Sequence, residues 1–229
     1  MKGTGHFGPE LFEFLNDLRR NNRREWFLAN KSRYEAEVRD PMLRFIGDFA
    51  APLRKISRHF VADPRPSGGS LFRIHRDTRF SRDKSPYKTN VAAHFRHEAA
   101  ADAHAPGFYL HLEPKQVFLA AGFWHPDAEA LAQVRQAIVA KPALWKRAIS
   151  GQAFRARCSL SGDALVRPPK GYDPEHPLID DVKRKDFVAV TRFTEKHACA
   201  RDFLDQCAQA YRVQSPLVAF VTSALGLPW

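Results

Sequence analysis

Between residues 71 and 90 the 229-residue chain sets six cations (Arg73, Arg76, Arg79, Arg82, Lys84 and Lys88) against two acids, Asp77 and Asp83. Cations at this density suit an oxyanion, since a guanidinium grips phosphate or carboxylate through two donors and an ammonium adds a point charge. Residues 72–80 also alternate, with Phe72, Ile74 and Phe80 on one parity and Arg73, His75, Asp77 and Arg79 on the other. As a strand, that parity projects the second set from one face as a ladder. The turn that follows supplies Ser81, Lys84, Tyr87 and Lys88. The ligand-binding candidates are therefore Arg73, Arg76, Arg79, Ser81, Lys84, Tyr87 and Lys88, with His75 and Asp77 as the acid/base candidates. Arg76 has the opposite parity and joins the ladder only through a twist or a bulge. A second polar turn brings Lys170, which would close over the same face. The plainer reading has Asp77 and Asp83 neutralising their neighbours on a solvated hairpin tip, which needs charge and turn residues in any case. The density of Arg and His beside a lysine-rich turn favours the anion site.

If four successive strands are neighbours, His75, Asp77, His94, His111 and Glu113 share a sheet face. Two imidazoles and a carboxylate are the donor set of a non-haem iron or catalytic zinc site, so His75, His94 and His111 are the metal candidates. Their spacing makes no HExxH pattern, and His75-Arg76-Asp77 is a triplet that chance often produces. Imidazoles stacking on a half-exposed sheet explain them as well, and the expectation is no metal. No motif specifies a cofactor. GxSxG is absent, Gly68-Gly69 is not followed by GK[ST], and neither an RNP1 string nor a zinc finger occurs. Phe72, Phe80 and Tyr87 among the cations could stack bases, although aromatic residues at such spacings are more often core.

The elements that must position these residues follow from periodicity. Apolar spacing predicts a helical part over residues 8–60, broken at Asn21-Asn22, with a second helix over 23–39 and a third started by Asp40-Pro41. A Pro/Gly/Ser loop at 63–70 precedes a change to period two. Strands are predicted over 72–80, 90–97, 108–113 and 116–124, forming an antiparallel meander within residues 70–125. Residues 126–229 read as helices with additional strands, at 154–160, 164–166 and 187–193. Thr194 is expected to cap a helix reaching residue 211, and Pro216 to begin the last one. The fold class is thus α+β, a mainly antiparallel sheet packed with N-terminal and C-terminal helices, in one domain over residues 1–229.

Composition bounds the rest. The net charge of +11 suits a phosphate-bearing or polyanionic partner, whether a small anionic molecule or nucleic acid. The three cysteines, Cys158, Cys199 and Cys207, form no CxxC pair and leave one over, which argues against a disulfide framework and zinc-ribbon spacing. Residues 1–9 lack the apolar core of a signal peptide and no run is long enough to span a membrane, so a cytoplasmic protein is expected. Oligomeric state is not encoded legibly.

Several strings taken together carry a resemblance. They are NNRREWF at 21–27; FRIHRDTRFS at 72–81 with PYKT at 86–89; FYLHLE at 108–113; PKGY at 169–172; and KRKDF at 183–187. In this order they resemble an uncharacterised family of bacterial and fungal proteins, domain of unknown function 2461, over roughly residues 12–219. The resemblance implies one compact unit and carries over no reaction, substrate or catalytic residue. Ala120-Ala121-Gly122 stands where the resemblance implies a more glycine-rich stretch, which weakens the expectation of a close backbone approach there. The function expected is a cytosolic module, with or without catalysis, that holds a phosphate- or carboxylate-bearing ligand on a cationic sheet face. Nucleic-acid binding and metal-dependent catalysis by the sheet histidines are the alternatives.

Overall fold

A computed structural model describes residues 5–99 and 105–229. Residues 1–4, part of the stretch expected to lack an apolar leader, lie outside them. In chain order the helices are α1 (Pro9–Arg20), α2 (Arg24–Ala29), α3 (Lys31–Tyr34), α4 (Asp40–Arg54), α5 (Ala128–Ala140), α6 (Pro142–Ser150), α7 (Gln152–Arg157), α8 (Ile179–Val182), α9 (Glu195–Ala198) and α10 (Phe203–Ala224). The strands are β1 (Phe60–Val61), β2 (Val91–His97), β3 (Gly107–Glu113), β4 (Gln116–Phe123), β5 (Ser159–Ser161) and β6 (Phe187–Phe193). They form one sheet in the order β1-β2-β3-β4-β6-β5, every pair antiparallel. The α+β expectation therefore holds, with the meander reduced to β2, β3 and β4.

Alternation on the central strands decides which face is covered. Val91, Ala93 and Phe95 of β2, with Phe108, Leu110 and Leu112 of β3, point into a core built with α1, α4 and the first half of α10. Phe123, Phe187 and Ala189 continue that face into a second cluster with Trp145, Ile138 and Leu217. The other parity, including Ala92, His94, Tyr109, His111, Phe118 and Ala120, is left to line a cleft. Among the described residues no helix is long and apolar enough to cross a membrane.

Several predicted elements are corrected. Residues 72–80 are not a strand: beyond single bridges at Leu71↔Ala93 and His75↔Tyr87 the chain leaves the sheet as an irregular arm. Carboxylates compete for the backbone there, Asp77 Oδ1 accepting from Arg79 N at 3.2 Å and Asp83 Oδ1 from Ser85 N at 2.9 Å. The helix expected over 23–39 stops at Ala29, restarts, and passes through a π-helical turn, Glu35–Arg39, into α4, so Asp40 is not a cap. Residues 152–157 are helical, leaving only Ser159–Ser161 as strand, and 164–166 make a single bridge, Ala164↔Arg184. Thr194 does cap, its hydroxyl and His197 forming a capping box, but α9 ends at Ala198 before α10 begins. Pro216 lies inside α10 rather than at its start. A proline there leaves the Arg212 carbonyl without its usual donor, and the Ser215 hydroxyl takes that place at 2.9 Å.

Candidate functional site

The uncovered sheet face and the arm enclose a cleft of about 730 Å³, within the range of small-molecule sites. Its floor is apolar and aromatic: Ala92 on β2, Tyr109 on β3, Phe118 and Ala120 on β4, Val188 and Val190 on β6. The floor is therefore less polar than period-two reading of the first three strands suggests, because β6 contributes valines. Two cross-strand partners, Gly107 and Gly122, keep it low. A Cβ on Gly107 would lie 2.3 Å from the His94 ring, and one on Gly122 would lie 1.9 Å from the Phe187 carbonyl. Gly122 also has φ of +136°. The close backbone approach that the Ala120-Ala121 substitutions put in doubt is thus made by Gly122 itself.

The Phe72 ring is the hub of the wall where the arm meets the sheet. Lys88 Nζ sits 5.3 Å from its centroid, the Tyr109 ring 6.0 Å away, and the His94 ring 6.3 Å away and nearly parallel. Lys88 also donates to the Arg73 carbonyl at 2.9 Å. Its half-buried ammonium pairs with no carboxylate among the described residues, and burial, then the Arg73 charge, hold its pKa below the ordinary lysine range.

Along β3 the outward positions Tyr109, His111 and Glu113 form a continuous hydrogen-bonded chain. Tyr109 Oη lies 2.9 Å from His111 Nδ1, and His111 Nε2 lies 3.2 Å from Glu113 Oε2. The other carboxylate oxygen, Oε1, accepts from Arg19 at 2.9 Å and from the Thr89 hydroxyl at 2.9 Å, tying α1 and the arm to the strand. His111 is buried and stacks on Phe118 with centroids 4.6 Å apart. Burial lowers the imidazole's pKa, against the opposing pull of Glu113. Burial, then the Glu113 charge, raise that of Tyr109.

The sequence candidates divide accordingly. Arg76, Asp77, Lys88, His94 and His111 line the cleft. Arg76 is held by Asp83 and reaches Ser81 at 3.5 Å. Asp77 is paired with Arg79 at 2.6 Å, and that side-chain bond, with the Arg79 backbone N–H, holds its pKa down to about 2. Lys84 donates to the Thr78 carbonyl at 2.9 Å. The predicted ladder is not formed: Arg73, His75 and Arg79 do not line the cleft, and His75 instead lies beside Tyr87, their rings 5.3 Å apart. Tyr87 is buried against Phe27, 4.1 Å between centroids, with Asn22 clamping its backbone, so its role is to anchor the arm. Lys170 is exposed and away from the cleft lining. His75 is thus separated from His94 and His111, and the described residues hold no group of three His, Cys, Asp or Glu fit for a metal.

Sequence reading missed Tyr109 as a site residue, and with it the hydrogen-bonded chain. The signal lies in the alternation of Tyr109, His111 and Glu113, which puts a phenol, an imidazole and a carboxylate in succession on one strand face. Asn90, Gln116 and Trp124 on the cleft rim carried no comparable signal.

No curated protein and no solved structure matches this chain. A family model described as conserved hypothetical protein (DUF2461) matches residues 10–220, and the chain belongs to that family.

Proposed function

We propose that this protein binds a small molecule carrying a phosphate or carboxylate in the cleft, with its flat or apolar part on the sheet floor. The observation that carries the reading is Lys88: a half-buried ammonium at the cleft wall, bonded to one carbonyl and opposed by no carboxylate among the described residues. A cation in that position is uncomfortable alone, and an incoming oxyanion supplies the missing charge. Arg76 adds a second positive group at the rim, partly neutralised by Asp83. Concavity favours a small ligand over a polymer, which would contact a broad basic surface instead. The reading extends to a single folding unit over the chain, supported by the continuous sheet. It also includes a reducing, cytoplasmic setting, which three free cysteines suit.

The test is a thermal-shift panel of pyrophosphate, mononucleotides and aromatic carboxylates on the wild type, Lys88→Met and Arg79→Ala. Stabilisation of the wild type and of Arg79→Ala by at least one small anion, abolished in Lys88→Met, is expected. Equal shifts in all three proteins remove the reading. Response only to long DNA or RNA, fading steeply with salt, points to the nucleic-acid alternative.

A further inference from the structure

We infer that Tyr109, His111 and Glu113 form a proton relay that makes the Tyr109 oxygen an acid/base group toward an O–H of the molecule in the cleft. The inference rests on the cleft being a ligand site and adds chemistry to it. Its direction follows from donor and acceptor capacities. An ionised Glu113 only accepts, and Oε1 is already occupied by Arg19 and Thr89, so Oε2 faces His111 Nε2. Nε2 must then carry the proton. In a neutral ring that leaves Nδ1 as an acceptor, and the Tyr109 hydroxyl, 2.9 Å away, becomes its donor. The phenol proton points at the imidazole and the lone pairs of Oη are left for the cleft that Tyr109 lines. Burial of His111 favours the neutral ring this arrangement requires.

The transfer balances without a co-reactant. A ligand hydroxyl or a ligand-bound water gives its proton to Tyr109 Oη as the phenol proton passes to His111 Nδ1. The positive charge then resides on an imidazolium facing Glu113, and the reverse path returns the proton. Because burial and Glu113 disfavour a free phenolate, the oxygen is activated only while His111 takes its proton. The arrangement has the logic of a carboxylate–imidazole–hydroxyl triad, with a phenol in the place of the serine and all three groups on one strand.

A base-activated phenol can be read without knowing the substrate. With benzenesulfonyl fluoride, a neutral probe, Tyr109 Oη forms the S–O bond, fluoride leaves with the S–F electron pair, and the phenol proton goes to His111. Peptide mapping is expected to show Tyr109 labelled ahead of the other tyrosines, falling about tenfold or more in His111→Phe, with the others unchanged. Labelling of Tyr109 no faster than elsewhere, or unaltered in His111→Phe, overturns the relay. If His111→Phe fails to fold, nitrogen NMR of the wild-type imidazole decides: the Nε2–H tautomer is required, and Nδ1–H overturns it. The carboxylated analogue, para-carboxybenzenesulfonyl fluoride, separates the two readings. Lys88→Met should slow that probe alone. If it slows neither probe while the neutral one still marks Tyr109, the anion site fails and the relay stands.

Discussion

Lys88 shows how a single side chain can serve binding at the expense of the fold. Its pKa lies below the ordinary 10.5, chiefly through burial. A folded-state pKa below the unfolded one means the unfolded chain binds the proton more readily. The stability linked to this group is therefore complete above about pH 10.5 and lost as pH falls through the folded value. At neutral pH, well below the ordinary lysine range, that penalty is present. Lys88→Met keeps an unbranched side chain at this position and removes the charge. It gives up the cation–ring contact with Phe72 but also the burial penalty, so it should unfold at higher urea concentration than the wild type at pH 7. Its advantage should shrink as pH is raised towards that of free lysine. The Arg73 carbonyl loses a donor in this variant, but Arg73 is exposed and water can replace it. Urea midpoints at both pH values check the sign; a variant less stable at pH 7 contradicts it. Greater stability with weaker anion binding is the trade-off expected of a functional group.

At the scale of elements, the β4–β6 pairing depends on Gly122. With φ of +136° and Phe187 O only 1.9 Å from where a Cβ would stand, Gly122→Ala must strain the backbone and separate the strands. A loss of about 2–4 kcal/mol by denaturant unfolding is expected, and a loss below about 1 kcal/mol would show that the strands yield easily. The Ser215 hydroxyl on the Arg212 carbonyl is a smaller device at a partly exposed site where water can replace it, and Ser215→Ala should change stability by no more than about 0.5 kcal/mol. Such details mark where sequence reading stops. β2 and β3 were legible because their alternation follows the covered and uncovered faces, and β4 because it is apolar on both parities, as a strand buried between β3 and β6 must be. The arm at 71–90 shares that alternation without being a strand. Its Asp77 and Asp83 satisfy backbone N–H groups that a ladder would have used, and Phe80, placed on the apolar parity, is 96% exposed. Period two reports alternating burial only where a partner strand exists. The candidate site suffered the same error: Arg73, His75 and Arg79 were grouped by a parity the arm does not keep. His94 and His111 do line the cleft, since β2 and β3 are strands, and the Glu113 carboxylate beside His111 is held by Arg19 and Thr89, which only folding brings near.

Across the whole molecule, α10 joins two buried clusters that lie against one sheet. One side of it sends Cys207, Tyr211 and Val218 among Phe49, Phe95 and Phe108, while Leu217 and Val221 pack with Trp145, Ile138 and Phe187. The sheet crosses the same boundary, since Ala121 of the first cluster is the direct partner of Ala189 of the second. Losing either cluster would leave one side of α10 and one end of the sheet facing water, so neither half can keep its burial alone. The two clusters should therefore melt together. Phe49→Ala and Trp145→Ala, each removing a fully buried aromatic side chain, should each cost about 3–5 kcal/mol and shift one common transition. Near-ultraviolet circular dichroism, which senses aromatic packing, and far-ultraviolet signal from the helices should give the same midpoint in both variants. A Trp145→Ala protein that loses only part of its signal, with a second transition at the wild-type midpoint, would mean that the sheet carries two separable units. The cleft would then be at risk, because its floor runs from β2 in one cluster to β6 in the other, and a floor spanning two independent units could not hold Val188 and Ala92 at fixed separation.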